Sequence, residues 1–143
     1  MITISWFFVG PLLAVADESA TFSREELEFF EQRVRPILVE SCQECHGAKK
    51  QEAGLRLDSR AATLRGSDEG PVVAPGKPAE SRLIQAVKRV GDLKMPPDSA
   101  LAPAQVEALV RWVELRLPWP EPAVATSVAA SNHWAYQSPK PTL

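Results

Sequence analysis

The chain is poor in metal donors and in runs of like charge: its 143 residues include two cysteines, two histidines and two methionines. A structural zinc site wants four Cys or His ligands. Cys42, Cys45, His46 and the remote His133 would have to serve, and the adjacent Cys45 and His46 are poorly spaced for one tetrahedron. Basic residues number 16 and acidic ones 18, for a formal net charge of -2 and a pI near 5.7. With no block of one sign, nucleic acid is not an expected partner. No Ser-His-Asp arrangement, phosphate-binding glycine loop or carboxylate cluster is present, which removes the hydrolase and kinase classes. No internal repeat is found. At 15.7 kDa and 45% hydrophobic residues, the chain has room for one modest core and none for a large multidomain enzyme. Proline is the residue in excess, at 13, about twice average usage. It predicts frequent helix stops and excludes coiled coils.

Ile2 to Ala16 carries no charge, has a compact apolar centre (Trp6, Phe7, Phe8, Val9, Leu12, Leu13), and ends in the small-x-small triplet Ala14-Val15-Ala16. That pattern reads as a secretory signal peptide over residues 1–16. It is shorter than the roughly 20 residues of a membrane span and contains Gly10 and Pro11, so no membrane span is expected once it is cleaved. A periplasmic or otherwise exported location follows, with an oxidising environment.

Three helices are predicted. Ser23 with Glu26 forms a capping box, Phe22 can staple onto Leu27, and a helix starts at Arg24 with the stripe Leu27, Phe30, Val34 and Leu38, kinked at Pro36. A second, between Pro78 and Gly91, directs Leu83, Ile84, Val87 and Val90 inward. Pro103 opens a third, with Val106, Leu109, Val110, Val113 and Leu117 inward, Trp112 flanking them, Glu107 and Arg111 paired outside, and Pro118 as the stop. Leu55-Arg56-Leu57 reads as a short extended piece and Ala61–Leu64 as one helical turn. No sheet is assigned. Residues 121–143, with Pro122, Pro139, Pro141 and an Ala/Ser/Val run, read as a linker or tail that can dock a partner.

Both cysteines fall in Cys42-Gln43-Glu44-Cys45-His46, which matches the c-type haem attachment pattern C-x-x-C-H. On a helix, positions i and i+3 share a face, so two sulfurs can form thioethers with one porphyrin while His46 reaches the iron. A thioredoxin-like dithiol lacks the neighbouring strands it needs. A Cys42–Cys45 disulfide would leave His46 unexplained. For the sixth position, Met95 is the only methionine besides the initiator and lies in the stiff loop Lys94-Met95-Pro96-Pro97, so it is the candidate distal ligand. His133 is the rival, and Lys94 would have to be deprotonated to compete.

Taken together, these motifs resemble those of a small class I cytochrome c. More narrowly, Phe30, Val34-Arg35-Pro36-Ile37-Leu38, Cys42 to Gly47, Leu55-Arg56-Leu57-Asp58, Pro75-Gly76, Ser81, Leu83-Ile84 and Lys94-Met95-Pro96-Pro97 resemble the planctomycete-type cytochrome c domain. The resemblance covers roughly residues 26 to 120. In that family the domain usually opens a longer secreted protein, and His133-Trp134-Ala135-Tyr136-Gln137 resembles the junction before the next domain. It implies an all-α cytochrome c domain over residues 17–120, with short helices around one covalent haem c and the first and last helices crossing. Leu55, Leu57, Leu93, Ile84 and Val87 are candidate walls, with ordinary core the equal alternative for each. Arg56 or Arg82 is a candidate propionate partner, with solvated surface the stronger reading for an arginine not yet placed. With Cys42 and Cys45 as thioethers and His46 and Met95 as axial ligands, the expected function is outer-sphere single-electron transfer to or from a redox partner protein, not enzyme catalysis. Two alternatives stay open: a haem enzyme or sensor whose iron binds peroxide or a gas, and a non-redox haem interaction module.

Overall fold

The structure is a computed structural model that describes residues 21–120. The expected signal peptide at 1–16, its cleavage site, the tail at 121–143, and His133 and Trp134 within it lie outside the described residues. Among the described residues the fold is all-α. The elements are α1 (Arg24–Phe29), a π turn (Phe30–Val34), α2 (Arg35–Ser41), α3 (Arg60–Arg65), α4 (Arg82–Val87) and α5 (Pro103–Glu114), with single 3-10 turns at Glu52–Gly54 and Pro78–Glu80. Two isolated backbone bridges, His46 with Gln51 and Ser67 with Gly70, stand in place of a sheet.

The capping box forms as predicted. Glu26 N–H donates to Ser23 Oγ at 3.2 Å and Ser23 N–H to a Glu26 carboxylate oxygen at 2.7 Å. Two orphan donors at the start of α1 are thereby satisfied. Phe22 lies under the Arg60 guanidinium, 5.2 Å from the ring centre. The predicted kink takes the form of a π turn that ends just before Pro36, with Arg35 N–H reaching back to Phe30 O. The wider turn accommodates a residue with no N–H to give.

Several sequence expectations need correction. The second helix does not begin at Pro78, which starts a separate 3-10 turn; α4 begins only after Ser81. Nor does it reach Val90, which is 65% exposed, because Arg89 turns left-handed at φ 59° and ends the helical path. Trp112 does not flank the core but occupies its centre, fully buried with Phe30. Their ring centres are 6.1 Å apart, and Trp119 stacks at 4.5 Å from Phe30 and 6.0 Å from Trp112. This cluster joins the π turn to α5. Arg111 lies over the Phe29 ring at 5.1 Å instead of pairing with Glu107. The third helix stops at Glu114, ahead of Pro118, since Arg116 and Leu117 are both left-handed.

Ser81 shows how the loop before α4 is held. Fully buried, its Oγ accepts from Ala74 N–H at 2.9 Å and donates to Lys77 O at 2.9 Å. Ser81→Ala should cost about 1–3 kcal/mol, the penalty for leaving those groups unpaired. Urea unfolding checks it, and an unchanged midpoint would mean that water replaces the hydroxyl.

Candidate cofactor site

α2 delivers the attachment motif. Cys42 is its C-terminal cap, so the pentapeptide is not inside a helix as its spacing suggests; it continues as helical turns beyond the helix end. Cys45 N–H and His46 N–H both donate to Cys42 O, at 3.2 and 2.9 Å, so the i, i+3 relation survives without a helix. Gly47 is buried, and a Cβ there would run into the Gln43 carbonyl oxygen. Only glycine lets the chain turn so tightly after His46. Two further bonds tie the motif to the extended piece: Leu57 N–H to His46 O at 2.8 Å and Gln43 Nε2 to Leu57 O at 2.9 Å.

The four predicted site residues, Cys42, Cys45, His46 and Met95, line one cavity of about 810 Å³. That volume falls in the roughly 300–1,000 Å³ range of cofactor and ligand sites. Its walls are mostly aliphatic. Leu55, Leu57, Val87 and Leu93 take part as predicted, joined by Leu38, Val72, Leu83, Ala86 and Leu109. Ile84 does not; it points into the core, 1% exposed. The periodicity of Leu38, Leu83 and Leu109 marks them as helix-face residues, and nothing in it tells a core-facing position from a cavity-facing one. Val72 carries no periodic signal at all. Of the two candidate arginines, Arg82 lines the cavity and bonds Glu69 at 2.6 Å, whereas Arg56 pairs with Asp58 at 2.7 Å outside it.

Cys42 Sγ is half-buried and approaches Ile37 O at 3.8 Å. Burial pushes its thiol up to about 11, so it stays protonated through neutral pH. The two cysteines are not joined to each other. Lys50 stands 4.0 Å from Cys45 Sγ and 2.9 Å from Glu52, and the ammonium holds the Glu52 carboxyl below its ordinary range. His46 Nδ1 is buried without a hydrogen-bond partner among the described residues. No protein hydrogen bond at that nitrogen therefore accounts for the ring's position. Among the described residues no group of three or more His, Cys, Asp and Glu is placed to hold a metal ion. The residues present fit a large apolar macrocycle: two thiols and an imidazole come from one segment, a thioether from another, and the Arg82 guanidinium, paired with Glu69, stands at the edge.

An all-α domain with C-x-x-C-H at the wall of such a cavity is of the c-type cytochrome class. Residues 42–99 match the family model described as Planctomycete cytochrome C. The match supports the resemblance read from the motifs, and a cytochrome c domain implies covalently bound haem c. No curated protein and no solved structure matches the chain. No helix among the described residues is long and apolar enough to cross a membrane.

Proposed function

We propose that the domain is an exported monohaem cytochrome that passes single electrons by outer-sphere transfer. Cys42 and Cys45 hold the group through thioethers, His46 is the proximal ligand and Met95 the distal one. The observation that carries this reading is the convergence of the four side chains, from segments far apart in the chain, on one apolar cavity. When bound there, haem c supplies an iron centre that alternates between ferrous and ferric states. His46 and Met95 would ligate the iron, Leu38, Val72, Leu83 and Leu109 would exclude water, and a thioether donor would favour the ferrous state. With both ligands in place the iron would have no position left for substrate, which favours electron transfer over catalysis.

The exported, haem-loaded protein tests this. Its ferric spectrum should be low-spin and show the weak far-red sulfur-to-iron charge-transfer band. Met95→Ala should abolish that band, lower the reduction potential and admit cyanide or carbon monoxide. If the unmodified ferrous protein already binds carbon monoxide quickly and stoichiometrically, the iron is open and the peroxidase or sensor reading replaces this one. The leader at 1–16 and a periplasmic location belong to the same proposal, as does a redox partner protein that docks through residues 121–143.

A further inference from the structure

The carbonyl oxygen of Ala86, near the end of α4, accepts two backbone donors: Arg89 N–H and Met95 N–H, each at 3.0 Å. One bond turns the chain out of the helix, and the other brings the methionine loop back to it. Between them Val90, Gly91, Asp92, Leu93 and Lys94 are all exposed. From its left-handed position, the half-buried Arg89 donates through Nη1 to Pro96 O at 2.9 Å. A prolyl residue has no N–H, so this carbonyl is its only backbone hydrogen-bonding group. Ala86, Met95 and Pro96 line the cavity, whereas Arg89 does not. Anything Arg89 does to the site is transmitted through Pro96.

We propose that Arg89 is a positioning residue that clamps the Met95–Pro96 segment closed over the cavity. The segment is then held on both sides of the Met95–Pro96 bond, by Ala86 on the methionine amide and by Arg89 on the prolyl carbonyl. A guanidinium donor makes the stronger, charge-assisted kind of hydrogen bond, and it spans a loop that offers little packing of its own. The inference rests on Met95 being the distal ligand.

The test uses the full, haem-loaded chain, with cyanide as the probe of an open distal position. Arg89→Met keeps the aliphatic stem and removes the donor. It should retain covalent colour, weaken the far-red band and bind cyanide about tenfold faster, the shift expected when a charged donor's hydrogen bond is lost. Arg89→Lys, which can still donate, should fall between the two, and it stands in for Arg89→Met if that variant does not accumulate. In a Met95→Ala background the Arg89→Met change should alter the cyanide rate by less than about twofold, because the clamped group is gone. Equal acceleration in both backgrounds would reveal general loosening and overturn the clamp. Unmodified rates in Arg89→Met, while Met95→Ala speeds binding, would overturn the clamp and leave the ligand assignment standing. If Met95→Ala itself changes neither band nor rate, the ligand assignment fails and takes the clamp with it.

Discussion

A Cys42→Ala, Cys45→Ala double variant should lose all covalent haem, and its thermal midpoint should fall on the order of 10 °C or more. The loss follows from chemistry, since these are the only two thiols in the chain and thioether attachment has no other donor. The thermal effect follows from size. The described domain is about 100 residues, and a core this small is marginal. Leu93, which is 48% exposed, and the half-buried Leu55 and Met95 line the cavity, and a bound macrocycle would cover them. At this chain length each kcal/mol lost lowers the midpoint by about 4–8 °C. After acid-acetone extraction of the unmodified protein, colour should remain with the polypeptide; in the double variant it should pass to the organic layer. Haem that leaves the unmodified protein would refute covalent attachment.

Trp112→Ala should remove about 3–5 kcal/mol of stability, the cost of deleting a large aromatic from a packed core. The ring is completely buried, and its Nε1 donates to Pro118 O at 3.0 Å. It also packs against both Phe30 and Trp119, whose ring centres are 4.5 Å from each other. Against a total stability of about 5–15 kcal/mol typical of natural domains, that loss is a large fraction. Trp112→Phe should lose less, keeping the stacking while giving up the hydrogen bond. Denaturant titrations compare the two, and a loss below about 1 kcal/mol in Trp112→Ala would contradict the packing described. Leu109 lies one turn earlier on α5 and lines the cavity, so the same variant should disturb the haem environment through the helix it anchors.

Features that depend on neighbours in the chain are legible in the sequence. The Ser23–Glu26 box is a contact between residues three apart, and the turn from Cys42 to His46 closes on bonds to one carbonyl. Pro103 at the start of α5 is likewise local chemistry. Where sequence and structure differ, other parts of the chain intervene. Periodicity places Val90 inward, but the helix that would carry it is ended by Arg89. Arg111 has a plausible mate in Glu107, yet the Phe29 ring from another helix is the partner found. Trp112 reads as peripheral because its place beside the stripe is a matter of angle on one helix. Its true surroundings, Phe30 and Trp119, come from elsewhere in the chain.

The amino-acid sequence by itself determined the attachment motif and the helical class, because each is written in residues within a few positions of one another. Tertiary structure alone decided which aliphatic side chains face the cavity and which face the core, that Arg82 rather than Arg56 stands at its edge, and that Met95 arrives at the same cavity as His46. The physical reason is that a cavity wall is assembled from segments far apart in the chain. Helical periodicity distinguishes inside from outside, but the inside of this domain has two destinations, and only the packing of α2, α4 and α5 with the loops between them assigns each residue to one.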